Sequence, residues 1–310
     1  MNRRRLALIG AGQMGSTHAR VISESSIADL DVVIDVDPEA AKRVAGIYET
    51  VPSTNLADAL DCDGVIVAGS TAARMECVLP LLEAGLPMLV EKPFAPTLAD
   101  LDRLLDISEH GDVPVMCGFV ERFNAAFLTA LHTLDGPVTH LLAIRHSPPA
   151  TRMTSSVVND LMLHDLDIAQ RVFGDIEGVL VGSACLRPPS SSWNEIADCT
   201  IAYGSPSGER QGVATLSANR VGQRKMRSLT LHTTTKLVEV DLLRQEVTRY
   251  HRASTAAELP FVHHRGEPLA LQLEHFLDLI DGVADPDEER RQIRPAHALA
   301  DQIEVASQRS

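Results

Sequence analysis

The chain has 310 residues, of which 45% are hydrophobic, and its formal net charge is −14 at pH 7. At about 100–200 residues per domain, this length favours two domains over one, and the hydrophobic share suits a globular chain with a sizeable core. The negative charge argues against nucleic acid or an anionic membrane surface as the main partner.

Three glycines follow the first apolar run, Leu6–Ile9, with the spacing G-x-G-x-x-G. Gly10 permits a tight turn after the strand, Gly12 lets the backbone approach a pyrophosphate closely, and Gly15 lets the next helix pack near the sheet. The phosphates then lie at the N-terminus of that helix, where N–H groups and the helix dipole favour negative charge. We therefore predict a dinucleotide site with contacts from Gly10, Gly12, Gln13, Met14 and Gly15.

A second apolar run, Val32–Ile34, ends at Asp35, which follows Gly15 by 20 residues. At this distance a carboxylate is placed to accept hydrogen bonds from the adenosine ribose hydroxyls and to repel a 2′-phosphate. The spacing therefore predicts NAD rather than NADP. The alternative is that Asp35 and Asp37 only open the turn at Pro38.

Short apolar runs continue to alternate with helical segments as far as residue 118. Strands that alternate with helices predict a doubly wound parallel sheet, so residues 1–118 form a predicted Rossmann domain, with the active site at the carboxyl ends of its strands, in the crevice facing the second domain. The further strands are predicted at Gly64–Ala68, Met88–Val90 and Val113–Cys117, and helices at Ala73–Ala84 and Thr97–His110.

Residues 119–310 follow a different pattern, which predicts an α/β domain with a large, mostly antiparallel open sheet. The charged stretch Asp285–Arg291 is predicted to be a solvated loop. The predicted strands are Val138–His146, Val179–Leu186, Asp198–Tyr203, Gly212–Ala218, Ser228–Thr234, Lys236–Leu242 and Glu246–His251, and the helices are Asn124–Leu134, Val157–Phe173, Leu269–Val283 and Pro295–Ser307.

The tripeptide Glu91-Lys92-Pro93 ends the fourth apolar run. A lysine at the carboxyl end of a parallel strand points toward the ligand, where it can stabilise negative charge that develops on a reacting oxygen. Proline after it restricts the backbone and permits a cis bond. The alternative is a surface lysine in a loop.

Asp160 and His164 lie four residues apart on the predicted helix Val157–Phe173, so they share a helix face. Asp160 can orient the imidazole or contact a substrate, and His164 can move a proton near neutral pH. The alternative is helix capping together with one structural histidine.

Taken together, these segments resemble the Gfo/Idh/MocA oxidoreductases, a family named for glucose-fructose oxidoreductase and inositol dehydrogenase. The resemblance implies a Rossmann domain, a second domain with an open sheet, and NAD(P)-dependent oxidation of a sugar or cyclitol hydroxyl or the reverse reduction. It rests on the Gly10–Gly15 loop with His18, the Asp35–Pro38 turn, Glu91–Pro93, Gly118–Asn124 and Asp160–Asp167.

The resemblance also assigns site residues. The family's catalytic lysine, aspartate and histidine fall on Lys92, Asp160 and His164, with Glu91 and Lys92 also beside the cofactor and Arg122 among the substrate contacts. Two departures concern loops. Ser70 and Arg74 stand where the family has a proline and a histidine near the nicotinamide ribose, so this sequence departs from the family's ribose contacts there, and Ser70 is a predicted cofactor-binding residue. Residues 155–158 replace the family's Gly-Gly pair.

Arg145 and Arg152 flank a segment that is similar to members acting on nucleotide-linked amino sugars. Arginine suits diphosphate recognition because its planar fork binds oxygens in pairs. The alternative is that Arg145 and Arg152 only cap a strand and a loop.

The preferred interpretation is an NAD-dependent dehydrogenase or reductase for a sugar, a cyclitol or a nucleotide sugar. One alternative is elimination or epimerisation through transient oxidation, and another is a dinucleotide-sensing protein without turnover. No metal is expected, because no Cys, Asp or Glu lies at metal-ligand spacing around His263 and His264. Scattered cysteines and the lack of a membrane-length apolar run predict the cytoplasm. The family implies a homodimer or homotetramer, which we expect to form through the second sheet.

Overall fold

A computed structural model describes residues 3–149, 155–174, 176–204, 210–251, 257–258 and 266–308. The chain divides into two compact units, one of Met1–Phe119 with Leu269–Arg294 and one of Val120–Pro268 with Pro295–Ser310. The chain first passes from one unit to the other after Phe119, one residue from the expected boundary at 118. The segment Leu269–Arg294, however, groups with the first unit, whereas the sequence-based division placed it in the second domain.

The first unit contains a parallel sheet in which three strands, Gly64–Val67, Met88–Val90 and Val115–Cys117, are wholly buried, as expected of a sheet covered on both faces. This confirms the predicted doubly wound domain. The strands are β1 (Arg4–Ile9), β2 (Ala28–Ile34), β3 (Val51–Ser53), β4 (Gly64–Val67), β5 (Met88–Val90) and β6 (Val115–Cys117), in the spatial order β3-β2-β1-β4-β5-β6. The helices up to residue 119 are α1 (Gln13–Glu24), α2 (Pro38–Ile47), α3 (Arg74–Glu83) and α4 (Leu98–Gly111), with 3₁₀ turns at Leu56–Asp61 and Thr71–Ala73.

The later part of the first unit is helical, with α7 (Pro268–Ile280, from residue 269 onward) and α8 (Pro286–Arg291). The prediction of a solvated loop at Asp285–Arg291 was therefore wrong. Asp285 caps α8 by accepting a hydrogen bond from the Asp287 N–H at 2.9 Å. Arg290 is 7% exposed, and its Nε donates to the Ser108 hydroxyl at 2.9 Å, which fixes α8 against α4.

The second unit contains an eight-stranded sheet in which only β7 and β10 pair in parallel among the described strands. The predicted mostly antiparallel sheet is thus confirmed. The strands are β7 (His140–His146), β8 (Gly178–Leu186), β9 (Ile196–Gly204), β10 (Arg210–Asn219), β11 (Met226–His232), β12 (Lys236–Asp241), β13 (Glu246–His251) and β14 (Ala257–Glu258), in the order β14-β13-β12-β11-β7-β10-β9-β8. The helices are α5 (Ala125–Thr133), α6 (Leu163–Phe173) and α9 (Arg294–Ser307, from residue 295), with a 3₁₀ turn at Val120–Phe123 and a π turn at Val158–Met162.

Buried and half-buried residues alternate along β7 and β10, so one face of this sheet carries the core. Because β7 and β10 run in parallel and β11 runs back from the same end, three arginines meet at one edge: Arg145 at the end of β7, Arg220 just after β10, and Arg227, which pairs with Arg145 in register. None of the described helices is long and apolar enough to cross a membrane.

Candidate active site

The glycine turn has the backbone geometry that the sequence predicted. Gly10 has a φ of +96°, and a Cβ atom on it lies only 2.5 Å from the backbone nitrogen of Gly69. A Cβ on Gly15 lies 1.7 Å from the Gly10 carbonyl oxygen, so both positions require glycine. A Cβ on Gly12, by contrast, meets no described atom within 4 Å. The structure therefore leaves open space at the middle glycine, at the N-terminus of α1.

Asp35 lies beside this turn, after β2. Its carboxylate accepts hydrogen bonds from the backbone N–H groups of Ala11 at 2.6 Å and Asp37 at 2.9 Å. Both the ribose role and the turn-opening role considered for Asp35 fit these contacts, because each carboxylate oxygen accepts more than one hydrogen bond. Sequence reasoning did not single out Arg43, whose guanidinium donates to the Ala11 carbonyl at 3.4 Å.

The Arg74 guanidinium donates hydrogen bonds to backbone carbonyl groups at and near the candidate catalytic lysine, Lys92. The acceptors are the carbonyl oxygens of Glu91, of Gly69 at 3.3 Å and of Lys92 at 3.4 Å. The Arg74 side chain is only 4% exposed, and burial lowers its pKa to about 10. The Lys92–Pro93 peptide bond is cis, and Lys92 itself is half-buried. The loop that follows β5 is thus fixed by a buried cation from the start of α3.

Glu91 is the buried anion next to Lys92. Its carboxylate is 2.8 Å from the His18 Nε2 and accepts the Lys92 N–H at 3.2 Å. A Cβ on Gly118 would lie 2.9 Å from that carboxylate, so the glycine after β6 makes room for it. Burial alone would raise the pKa of Glu91, but the hydrogen bond from His18 and the charges of His18, Lys92 and Arg74 hold it below the usual value.

In the second unit, Asp160 lies in the π turn that precedes α6, and π turns are frequent at functional sites. Its carboxylate accepts a hydrogen bond from Arg220 at 2.8 Å, and the Asp160 side chain is 42% exposed. Arg220, which is 3% exposed, also donates to the carbonyl oxygens of Ser155 at 2.9 Å and Ser156 at 3.3 Å. Arg220 therefore fixes both the start of this helix and the candidate carboxylate.

The helical spacing argument for Asp160 and His164 assumed α geometry from Val157 onward. The π turn ends at Met162, so His164 lies in the first turn of α6 and is half-buried there. Lys92 belongs to the first unit, whereas Asp160 and His164 belong to the second. The combined catalytic role of these three residues stays a prediction.

Two arginines that were predicted to contact substrate, Arg145 and Arg122, form buried ion pairs. Arg145 is 1% exposed, and its guanidinium donates to Asp165 at 2.8–3.0 Å and to Glu121 at 2.8 Å. Arg122 is likewise buried and binds Asp167 at 2.6–3.0 Å. The carboxylates of Asp165 and Glu121 raise the pKa of Arg145 despite its burial. Buried ion pairing of this kind supports a structural role for Arg145 and Arg122 in the second unit, and their contact with substrate stays a prediction.

The other predicted site residues differ in what the structure says of them. Gln13 and Met14 are exposed in the first turn of α1, and Ser70 is exposed just before the 3₁₀ turn that leads into α3. Arg152, His263 and His264 lie outside the described residues. In the described part of the chain, no group of three or more His, Cys, Asp or Glu side chains is arranged to hold a metal ion.

The residues around the glycine turn fit a dinucleotide. The turn offers an uncapped helix N-terminus for a pyrophosphate, open space at Gly12 and a carboxylate at Asp35. Glu91 and Lys92 follow β5, which is separated from β1 by one strand. All of these residues follow the carboxyl ends of parallel strands, which is where α/β sheets bind ligands.

Comparison with known proteins also indicates a dinucleotide-binding fold. Residues 4–119 match the model of an oxidoreductase family with an NAD-binding Rossmann fold. An inositol 2-dehydrogenase of Acidothermus cellulolyticus is 36% identical over 181 residues, which are 54% of this chain and 53% of that protein. The match thus spans about half the length of that relative.

A UDP-N-acetylglucosamine 3-dehydrogenase of Acidithiobacillus ferrooxidans is similar over nearly the whole chain. It is 27% identical over 305 residues, which are 90% of this chain and 92% of that protein. A solved structure of a UDP-N-acetylglucosamine 3-dehydrogenase from the same organism superposes with a TM-score of 0.89 at 25% identity, covering 99% of this chain and 98% of that one. Both units of the fold therefore occur together in a solved relative.

Proposed function

Since this chain belongs to the Gfo/Idh/MocA family of oxidoreductases, we propose that it is an NAD-dependent dehydrogenase or reductase. The proposed substrate is a secondary alcohol, or the matching ketone, of a sugar, a cyclitol or a nucleotide sugar. Relatives named for inositol and for UDP-N-acetylglucosamine support this range of substrates. The observation that carries the proposal is the fixed position of Lys92 after β5, at the sheet edge that also carries the open glycine turn.

When bound, NAD supplies the hydride acceptor of the oxidation. The residues that would hold it are the Gly10–Gly15 turn, which would face the pyrophosphate, and Asp35, which would accept hydrogen bonds from the ribose hydroxyls. The Asp35 carboxylate also disfavours the additional phosphate of NADP through charge repulsion. The protein contributes position and electrostatics at this site.

The proton is moved by the chain's own side chains. In the oxidative direction, the His164 imidazole accepts the proton of the substrate hydroxyl, and the Lys92 ammonium donates a hydrogen bond to the same oxygen as negative charge develops on it. Asp160 assists as a hydrogen-bond acceptor for the substrate or the imidazole. Its ion pair with Arg220 holds the carboxylate in place for that role.

Substitution of the two proton-handling residues tests this mechanism. We expect Lys92→Met and His164→Ala each to lower kcat by about 10²–10⁴-fold, because general acid–base assistance and charge stabilisation are lost. Steady-state kinetics with NAD and a panel of cyclitols, sugars and nucleotide sugars measures the effect. The exposed residues Lys42 and His110 provide matched controls, as Lys42→Met and His110→Ala. Unchanged turnover in both catalytic variants would exclude the assigned roles.

Self-association through the second sheet is part of the proposal. Val179, Val181 and Leu186 on β8 are 61%, 58% and 56% exposed, and β8 is the last strand in the order of the sheet. Exposed apolar side chains on such a strand support an interface with a second copy of the chain. Sedimentation analysis measures the resulting oligomeric state. A cytoplasmic location stays a prediction from the sequence.

A further inference from the structure

The segment from Arg220 to Arg227 is unusually basic for this chain. It reads Arg-Val-Gly-Gln-Arg-Lys-Met-Arg, with four cations and no acid in eight residues, whereas the whole chain carries a net charge of −14. We name it the basic turn. It connects β10 to β11 at the sheet edge where Arg220 binds Asp160. A cluster of cations in the sequence therefore lies next to the candidate catalytic helix.

The backbone of the basic turn is held in place. The Gly222 N–H donates to the Ser147 carbonyl at 3.0 Å, and the Val221 N–H donates to the Asn219 side chain at 3.3 Å. A Cβ on Gly222 would lie 3.2 Å from the Ser147 oxygen and 3.3 Å from the Arg224 carbonyl oxygen, so the chain folds closely here. The turn consequently presents its cations from a defined backbone.

The four cations of the basic turn differ in their ion pairing with acidic side chains. Arg220 is paired with Asp160, whereas the exposed Arg224 and Lys225 have no ion pair with any described acidic side chain. Arg227 is 32% exposed and shares one oxygen of Glu121, at 3.3 Å, with Arg145, which binds that oxygen at 2.8 Å. The Nε of Arg227 is buried and has no described hydrogen-bond partner.

Burial and the neighbouring positive charge of Arg145 lower the pKa of Arg227, although the guanidinium stays charged at neutral pH. A partly buried cation with one long hydrogen bond is stabilised by an additional anion. Arg224, Lys225 and Arg227 lie within four consecutive residues, and three cations so close in sequence suit a group with more than one negative charge better than a single carboxylate.

We infer that Arg224, Lys225 and Arg227 bind the phosphates of a nucleoside diphosphate sugar, whose sugar ring is the group acted on by His164. This inference rests on the proposed function and narrows its substrate to the phosphorylated class. The arginine forks pair with phosphate oxygens, and Lys225 adds a compact charge. Within the proposed substrate range, free sugars and cyclitols offer the basic turn no anion.

Calorimetry on the NAD-loaded protein tests the inference without requiring turnover. UDP is the probe, with UMP and inorganic phosphate as arms that distinguish a diphosphate from a single phosphate. We expect UDP to bind most tightly, and its affinity to fall at least about tenfold in the double variant Arg224→Ala/Lys225→Ala, since charge-assisted hydrogen bonds are lost. Arg244→Ala, which removes an exposed cation from another turn of the same unit, should leave UDP affinity unchanged.

The kinetic arm compares UDP-N-acetylglucosamine with free N-acetylglucosamine and myo-inositol. We expect the double variant to raise KM for the nucleotide sugar at least about tenfold with little change in kcat, and to leave NAD affinity as in the wild type. The inference is overturned if UDP does not bind the wild type, or if the double variant binds it within twofold.

The two proposals fail in different ways. UDP binding that depends on the basic turn, without turnover of any sugar, would retain the phosphate site and remove the dehydrogenase function. Oxidation of myo-inositol with equal kcat/KM in the wild type and the double variant, without UDP binding, would retain the dehydrogenase and remove the phosphate site.

Discussion

Single residues decide how the candidate catalytic groups are held. Arg74 donates to the carbonyl oxygens of Gly69, Glu91 and Lys92, and Arg220 performs a similar task for Ser155, Ser156 and Asp160. In each case a buried guanidinium binds several acceptors that belong to a loop or to the start of a helix. An arginine is suited to this because its five N–H donors lie in one rigid plane.

Replacement of Arg74 tests whether this contact positions Lys92. In Arg74→Met the three carbonyl groups lose their shared donor, so we expect a loss of about 1–3 kcal/mol in unfolding free energy and a lower kcat. Arg74→Lys retains the charge but not the planar fork, and we expect intermediate values. Urea unfolding and steady-state kinetics measure both effects. The exposed Arg103, changed to Met, is the control, and equal behaviour of Arg74→Met and Arg103→Met would contradict the positioning role.

The sequence identified Lys92, Asp160 and His164 as candidates but did not identify the partners of the arginines. Arg145 was predicted to bind substrate, yet it pairs with Asp165 and Glu121, 20 and 24 residues away. The partner of Arg220 is 60 residues away. Tertiary packing selects such partners, and neither local spacing nor periodicity contains that information. The basic composition of residues 220–227 was the available signal for Arg220.

At the scale of elements, the glycine turn joins β1 to α1 and carries the cofactor proposal. Gly10 and Gly15 are required by the fold itself, because a Cβ at either position meets backbone atoms. Gly12 is different, since its φ of −77° suits any residue and its surroundings are open among the described atoms. Only a ligand would explain a need for glycine at position 12.

Gly12→Ser separates cofactor binding from folding. Serine is a favourable N-cap residue, so we expect the unfolding free energy to stay the same or rise slightly. The added side chain enters the space assigned to the pyrophosphate, and we expect NAD affinity to fall by at least about tenfold, which equals about 1.4 kcal/mol. Calorimetric titration with NAD gives the affinity. Gly46→Ser on α2 is the control. Unaltered NAD binding by Gly12→Ser would contradict the assignment of the space at Gly12 to the pyrophosphate.

The sequence located most elements of the fold, including β5 with exact bounds, because buried strands and amphipathic helices have clear patterns. It missed β3, which has three residues that are exposed or half-buried, and it assigned α8 to a loop. The charged composition of α8 obscured an N-cap aspartate, a proline in the first turn and acids before arginines, which are standard signals of a short helix.

The N-cap of α8 is directly testable. We expect Asp285→Ala to lower the unfolding free energy by about 1 kcal/mol, because the N–H of Asp287 loses its acceptor. Asp285→Asn keeps a capping oxygen and should retain nearly all the stability. Urea unfolding of the two variants compares them. If both variants match the wild type, capping at Asp285 does not stabilise α8.

At the scale of the whole molecule, the chain combines an acidic surface with two units that differ in sheet type. The first unit is a parallel nucleotide-binding sheet, and the second presents arginine-rich contacts at one edge of its own sheet. Sequence periodicity distinguished these two architectures. It placed residues 269–294 in the wrong unit, because the contacts of α7 and α8 with β4 and α4 are long-range.

Hydride transfer from substrate to NAD tests the account most directly. The purified chain is incubated with NAD and with myo-inositol or UDP-N-acetylglucosamine deuterated at each candidate carbinol carbon. NADH absorbance is then followed, and the cofactor is examined by mass spectrometry. We expect NADH that carries one deuterium from a single carbinol position, and no such transfer in His164→Ala. Tight NAD binding without any NADH, or product that forms without NADH, would contradict the proposed dehydrogenase.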